Sequence, residues 1–147
     1  MNTEIEGHHY PEQDLTGKIL ECAFTVHNTL GAGFLEKVYA NALAIEMHAH
    51  HIPFNVEVAL KVEYRGSVVG DYIADIIADQ RVLVELKASA ALDSVHVAQV
   101  LNYLRASGIR VGLLLNFGRP NPSSSVFICG STLLPLSAFI CGCIAFA

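Results

Sequence analysis

Near Pro53 the spacing of apolar residues changes from three and four to two, which restricts the possible folds more than any other feature of the chain. Before that point Leu15, Ile19, Cys22, Ala23, Val26 and Leu30 recur on one helical face, closed by Gly31. A second helical pattern covers about 34–50, with Leu35, Val38, Ala42 and Ile45 on one stripe, and stops at Ile52-Pro53. Beyond it Val56, Val58, Leu60, Val62 and Tyr64 alternate with polar or small residues as far as the Arg65-Gly66 turn, the rhythm of a strand. Runs over 68–78 and 81–88 flank Asp79-Gln80 and predict a hairpin, completing a meander of three antiparallel strands. A helix over about 94–106, stopped by Gly108, leads to 109–116, where Val111 and Leu113, Leu114 and Leu115 read as a fully buried strand. The order ααβββαβ predicts an α/β (α+β) domain with a mixed sheet flanked by helices.

At 147 residues the chain suits one domain. Nine Lys and Arg against 14 Asp and Glu give a formal net charge of -5, which excludes a generic basic nucleic-acid binder. Contact with a nucleic acid would need a local patch, for which Lys18, Lys37, Lys87, Arg105 and Arg110 are available. All charged side chains lie at or before Arg119, and the 28 residues 120–147 carry none, so the expected division is a domain over 1–119 and an uncharged apolar tail over 120–147. Cys22 stands apart from Cys129, Cys141 and Cys143, so no disulfide framework is expected, and the acidic, polar N-terminus does not resemble a secretion leader. A cytoplasmic location follows as the expectation. Within 126–147, 16 of 22 residues are apolar, long enough to span a bilayer as a helix, although Gly130, Pro135 and Gly142 interrupt it. A shifted reading frame, a membrane anchor and a packed addition are the three readings of this tail.

The hairpin carries the chemistry. Glu85 and Lys87 are two apart on a strand, so they leave one face while Val82, Val84 and Leu86 leave the other. Asp75 stands opposite Glu85 if the connection centres on Gln80; a strict two-residue turn would pair Asp75 with Val84 instead. A three-residue or bulged connection is therefore expected. Carboxylate oxygens of Asp75 and Glu85, with the Leu86 backbone carbonyl, would bind Mg²⁺ or Mn²⁺, which lowers the pKa of a water and offsets charge on a phosphate. Lys87 would orient that water and stabilise the pentacovalent phosphate. The plain alternative is an ordinary surface Glu/Lys ion pair.

On the third helix His96, Gln99 and Tyr103 fall at i, i+3 and i+7 beside the apolar Val97, Val100, Leu101 and Leu104. Gln99 and Tyr103 can offer an amide and a phenol to a phosphate or to the lysine; a solvated face is the plain alternative. Upstream, Gly33-x-x-Glu36-x-x-Tyr39 places Glu36 one turn before Tyr39, where it either reaches a metal or simply complements the helix dipole. His27 faces the same break from the first helix, and His48, His50 and His51 read as a solvated helix end without a zinc-like cysteine partner.

Together the segments VHNTLGAGFLEKVYANAL, DYIADIIADQRVLVELKA and HVAQVLNYLRASGIRVGLLLNFG resemble the GxxExxY family, a branch of the PD-(D/E)XK nuclease superfamily, over about 16–118. The resemblance implies a restriction-endonuclease-like core with a divalent-metal site at the sheet. By motif position it makes Asp75, Glu85 and Lys87 the catalytic signature and Gln99 and Tyr103 the QxxxY motif of the exonuclease-like branch. Glu36 matches the namesake glutamate, and His27 a histidine that in related nucleases joins the metal site. Ala32 stands where the family usually has Pro, and the likeness stops after Gly118. The implied activity is Mg²⁺- or Mn²⁺-dependent hydrolysis of phosphodiester bonds in DNA. The alternative is a noncatalytic module binding nucleic acid, a protein partner or a second copy, with a membrane as partner only if 126–147 is an anchor.

Overall fold

A computed structural model describes residues 11–120 and 126–129. Helices α1 (Gln13–Leu30) and α2 (Glu36–Ala49) precede strands β1 (Phe54–Tyr64), β2 (Ser67–Ala78) and β3 (Val82–Lys87); α3 (Ser94–Ser107), β4 (Val111–Asn116) and β5 (Val126–Cys129) follow. The expected order ααβββαβ is present, with one strand added. The five strands lie in sequence order, antiparallel except for β3 and β4, which run parallel across the α3 crossover. The result is a mixed sheet with helices on both faces, consistent with a restriction-endonuclease-like fold.

Strict alternation on β3 and β4 feeds two cores. Val82, Val84, Leu86, Val111, Leu113 and Leu115 pack with Ile19, Cys22, Tyr39, Leu43 and Met47 on the side of α1 and α2. Leu83 and Leu114 pack with Val100, Tyr103 and Leu104 on the side of α3. Helix α3 begins in a capping box in which the Asp93 side chain accepts from the Val95 and His96 N–H groups and the His96 ring accepts from the Asp93 N–H. It lies so close to β4 that a Cβ on Gly112 would come within 2.8 Å of Val100 Cγ1.

The structure corrects the expected core face of α2. Leu35 and Ile45 are 80% and 70% exposed, whereas Tyr39, Leu43 and Met47 are buried. Two apolar stripes compete on this helix, and the one with the larger side chains, at i, i+4 and i+8, faces the sheet.

The β2–β3 connection has the expected three residues. Ala78 pairs with Val82, and Asp79 and Gln80 both take positive φ, 47° and 56°. The register therefore projects Asp75 opposite Glu85. At the other edge the sheet continues past Arg119: Val111 to Leu114 pair with Cys129 to Val126, and Ile128 is buried on the α3 side. Four residues of the uncharged tail thus belong to the sheet. The remainder of the span considered for a membrane anchor, 130–147, lies outside the described residues. Among the described residues no helix is long and apolar enough to cross a membrane.

Candidate active site

The site forms where β2 leaves β3. Their ladder ends at Ile76 and Val84, and on the other side the β1–β2 pairing passes over the Glu57 and Asp75 positions. Glu57 has φ 50°, and face alternation breaks on β2: Ala74 and Ile77 both pack on the α3 side, while Ile76 packs towards α1 and α2. Asp75 sits inside this break. Its side chain spans the gap in the ladder, Oδ2 accepting the Leu86 N–H at 2.8 Å, while its own N–H lies 3.5 Å from Glu85 Oε2. The Lys87 carbonyl accepts from Phe117 N–H on the β4 side, so by strand alternation the polar groups of Leu86 face β2.

Glu85 is only 4% exposed, with Lys87 Nζ 3.9 Å from its Oε1. Burial, followed by the field of Asp75, pushes the Glu85 carboxyl up to about 7, and Lys87 only partly opposes this. Burial also raises Asp75 against the Leu86 hydrogen bond, with Glu36 adding and Lys87 and Lys37 opposing. Tyr103 is raised by burial; the Gln99 hydrogen bond opposes this, and Glu85 and Asp75 reinforce it. Two neighbouring carboxyls are thus held above their ordinary range in a place one ammonium does not neutralise. Such a pair of hard oxygen donors fits a divalent cation.

The expected residues divide into those brought to this point and those placed elsewhere. Glu36 opens the first turn of α2 and lines a cavity of about 500 Å³ together with Asp75, Lys37 and Asn41. Lys37 is ion-paired with Glu57 across the cavity mouth. Gln99 Nε2 donates to Tyr103 Oη at 2.8 Å, so the two side chains act as one unit beside Glu85. His96 serves the α3 cap. His27 is 4% exposed, its Nε2 lies 2.6 Å from the Arg119 carbonyl oxygen, and its ring stacks with Phe117. His27 thus pins the chain after β4 to α1. Among the described residues no group of three or more His, Cys, Asp or Glu stands ready to hold a metal.

Several supports were not foreseen. Tyr39 is fully buried; its hydroxyl donates to the Gly31 carbonyl at 2.6 Å and accepts from Phe34 N–H at 3.2 Å, fixing the loop that launches Glu36. Gly33 permits that loop with φ 114°. Beyond Lys87, the buried Asn116 side chain accepts from Ser89 N–H and Gly118 N–H and donates to the Ser89 carbonyl. A polar residue ending the apolar run VGLLLN was the available signal for this clamp.

A family model for the PD-(D/E)XK nuclease superfamily matches residues 13–126, which takes in every element from α1 to β4. The chain belongs to the PD-(D/E)XK nuclease superfamily. No curated protein and no solved structure matches it. Membership supports nuclease activity and a nucleic-acid substrate, and nucleases of this superfamily generally use divalent metals. The superfamily match ends at residue 126, beyond the boundary at 119 drawn from charge.

Proposed function

We propose that the protein is a Mg²⁺- or Mn²⁺-dependent nuclease of the GxxExxY branch, hydrolysing phosphodiester bonds in DNA. The observation that carries this is the reach of the Asp75 carboxylate across the end of the β2–β3 ladder to Leu86, beside the buried Glu85–Lys87 pair. Asp75 and Glu85, with the Leu86 carbonyl, are the residues that would hold the cation, with Glu36 facing them from α2. Bound there, the cation supplies Lewis acidity that offsets charge on the scissile phosphate. Lys87 donates to the attacking water and to the phosphate oxygen on which charge grows. The Tyr103 phenol, hydrogen-bonded by Gln99, lies within the field of Glu85 and Asp75.

The second reading is a noncatalytic module that retains the fold for binding. The observation on its side is that among the described residues no group of three or more His, Cys, Asp or Glu stands ready to hold a metal. Cleavage decides between the two. Incubated with single- and double-stranded DNA, the full chain should cut in Mg²⁺ and not in EDTA, and Lys87→Ala should lower the rate at least about 100-fold. Equal rates in the wild type and Lys87→Ala would remove the catalytic reading.

A further inference from the structure

The cavity that Asp75 lines, about 500 Å³ in volume, has walls of two kinds. Glu36, Asn41 and Asp75 supply polar groups, whereas Phe34, Leu35 and Val56 are apolar and 48%, 80% and 50% exposed. Three large apolar side chains thus stand open to water in the same recess as a carboxylate of the candidate cation site. Lys37 is neutralised by Glu57, so the charge left in the recess is that of Glu36 and Asp75. A phosphate enters such a place only against a cation held by the carboxylates. The apolar wall sets no such condition and favours an uncharged, flat group.

Phe34 is held ready for one. It stands two residues before the first turn of α2, and its ring meets that of Tyr39 at 6.1 Å and 75°, a hydrophobic staple at the helix entry. Its N–H donates to the Tyr39 hydroxyl at 3.2 Å, and the Tyr39 ring is buried in a stack on Phe117, 4.6 Å away. The staple accounts for the contact with Tyr39 but not for the half of Phe34 left open at the recess. A ring fixed in advance loses little freedom when a ligand covers it.

The ligand that suits this recess joins a flat, uncharged face to an anion within a short reach. A nucleotide does so, and about 500 Å³ is the scale of one small ligand, not of a double helix. Bases in a duplex hide their faces in the stack, so a base that reaches Phe34 is unpaired or swung out. We propose that the recess is a base subsite, in which an unpaired nucleobase stacks on Phe34 beside Leu35 and Val56 while a neighbouring phosphate lies on the cation held by Asp75 and Glu85. The assignment rests on the nuclease reading for that phosphate. It adds a residue outside the catalytic signature that selects an unpaired nucleotide at the cut.

The chain contains no Trp, so Phe34→Trp puts a single indole at the recess and reports contact there directly. The full chain is titrated in Ca²⁺, which takes oxygen donors as Mg²⁺ does. A single-stranded oligodeoxynucleotide should quench the indole, and the same strand in a duplex should need at least about tenfold more for equal quenching. An abasic strand with the same phosphates should bind the wild type and Phe34→Trp about tenfold more weakly than the base-bearing strand. Phe34→Leu, which keeps apolar bulk without a ring, should erase that preference. Equal affinity of the wild type for the two strands, an undiminished preference in Phe34→Leu, or a bound strand that leaves the indole unquenched would overturn the proposal. Indole emission that shifts with protein concentration alone would place a second copy on this face and would also overturn it. Quenching without Mg²⁺-dependent cleavage would retain the subsite and remove the catalytic reading. Cleavage without quenching would do the reverse.

Discussion

Replacing Glu85 with Gln should make the protein more stable at neutral and alkaline pH while abolishing its chemistry. The carboxyl is raised from 4.5 to about 7 because folding removes it from water and sets it in the field of Asp75. A group whose acid form is favoured by folding supplies stability that is fully present below its unfolded pKa and is lost as pH rises through the folded one. For Glu85 that loss runs from about pH 4.5 to about pH 7. At about 1.36 kcal/mol for each tenfold change in proton affinity, it amounts to about 3 kcal/mol. The amide introduced by Glu85→Gln would have the same shape, keep an acceptor and bear no charge. Urea unfolding in EDTA at pH 5, 6, 7 and 8 should therefore show wild type and Glu85→Gln nearly equal at pH 5, with the variant ahead by about 3 kcal/mol at pH 8. Adding Mg²⁺ at pH 8 should recover the wild type and leave the variant unchanged, since ligand binding to the folded state alone stabilises it. A difference independent of pH, or a wild type more stable at pH 8 without metal, would refute the idea of a buried carboxylate short of positive charge.

Other perturbations test the supports of the site. Gly118→Ala would bring a Cβ to 2.2 Å from the Ser89 carbonyl oxygen, so thermal unfolding should show a loss of about 2–3 kcal/mol and a disrupted strand end after Lys87. Tyr39→Phe removes the hydroxyl bonded to Gly31 and Phe34 and should cost about 1–2 kcal/mol by denaturant titration. Hydrogen exchange should quicken in the loop before Glu36 in the same variant. Asp93→Ala removes the α3 cap and should cost about 1 kcal/mol by the same titration, without altering the affinity for metal.

Much of the site was legible because strand register follows from turn length. Once the connection centred on Gln80, Asp75 fell opposite Glu85, and Glu85 and Lys87 shared a face by simple alternation. What alternation could not reveal is its own failure at Asp75. The positive φ of Glu57 and the shift in face between Ala74 and Ile77 have no signature in a run of β-forming residues. On α2 two apolar stripes were present, and only packing against the sheet selected Tyr39, Leu43 and Met47 over Leu35 and Ile45. Charge proved a poor guide to where the sheet ends, because edge strand β5 pairs through its backbone and needs no charged side chain. His27 was placed near a metal by motif position, but a buried imidazole also satisfies a backbone carbonyl, here that of Arg119.

The central claim is that Asp75 and Glu85 form one cation site, and calorimetric titration of the wild type, Asp75→Asn and Glu85→Gln with Mn²⁺ at pH 7 tests it most directly. Because the Glu85 carboxyl lies at about 7, binding should expel part of a proton, so the measured enthalpy should change with the ionisation enthalpy of the buffer. The account predicts binding to the wild type with that buffer dependence, and loss of binding in each variant. Undiminished binding in either variant, or no binding in the wild type, would contradict it.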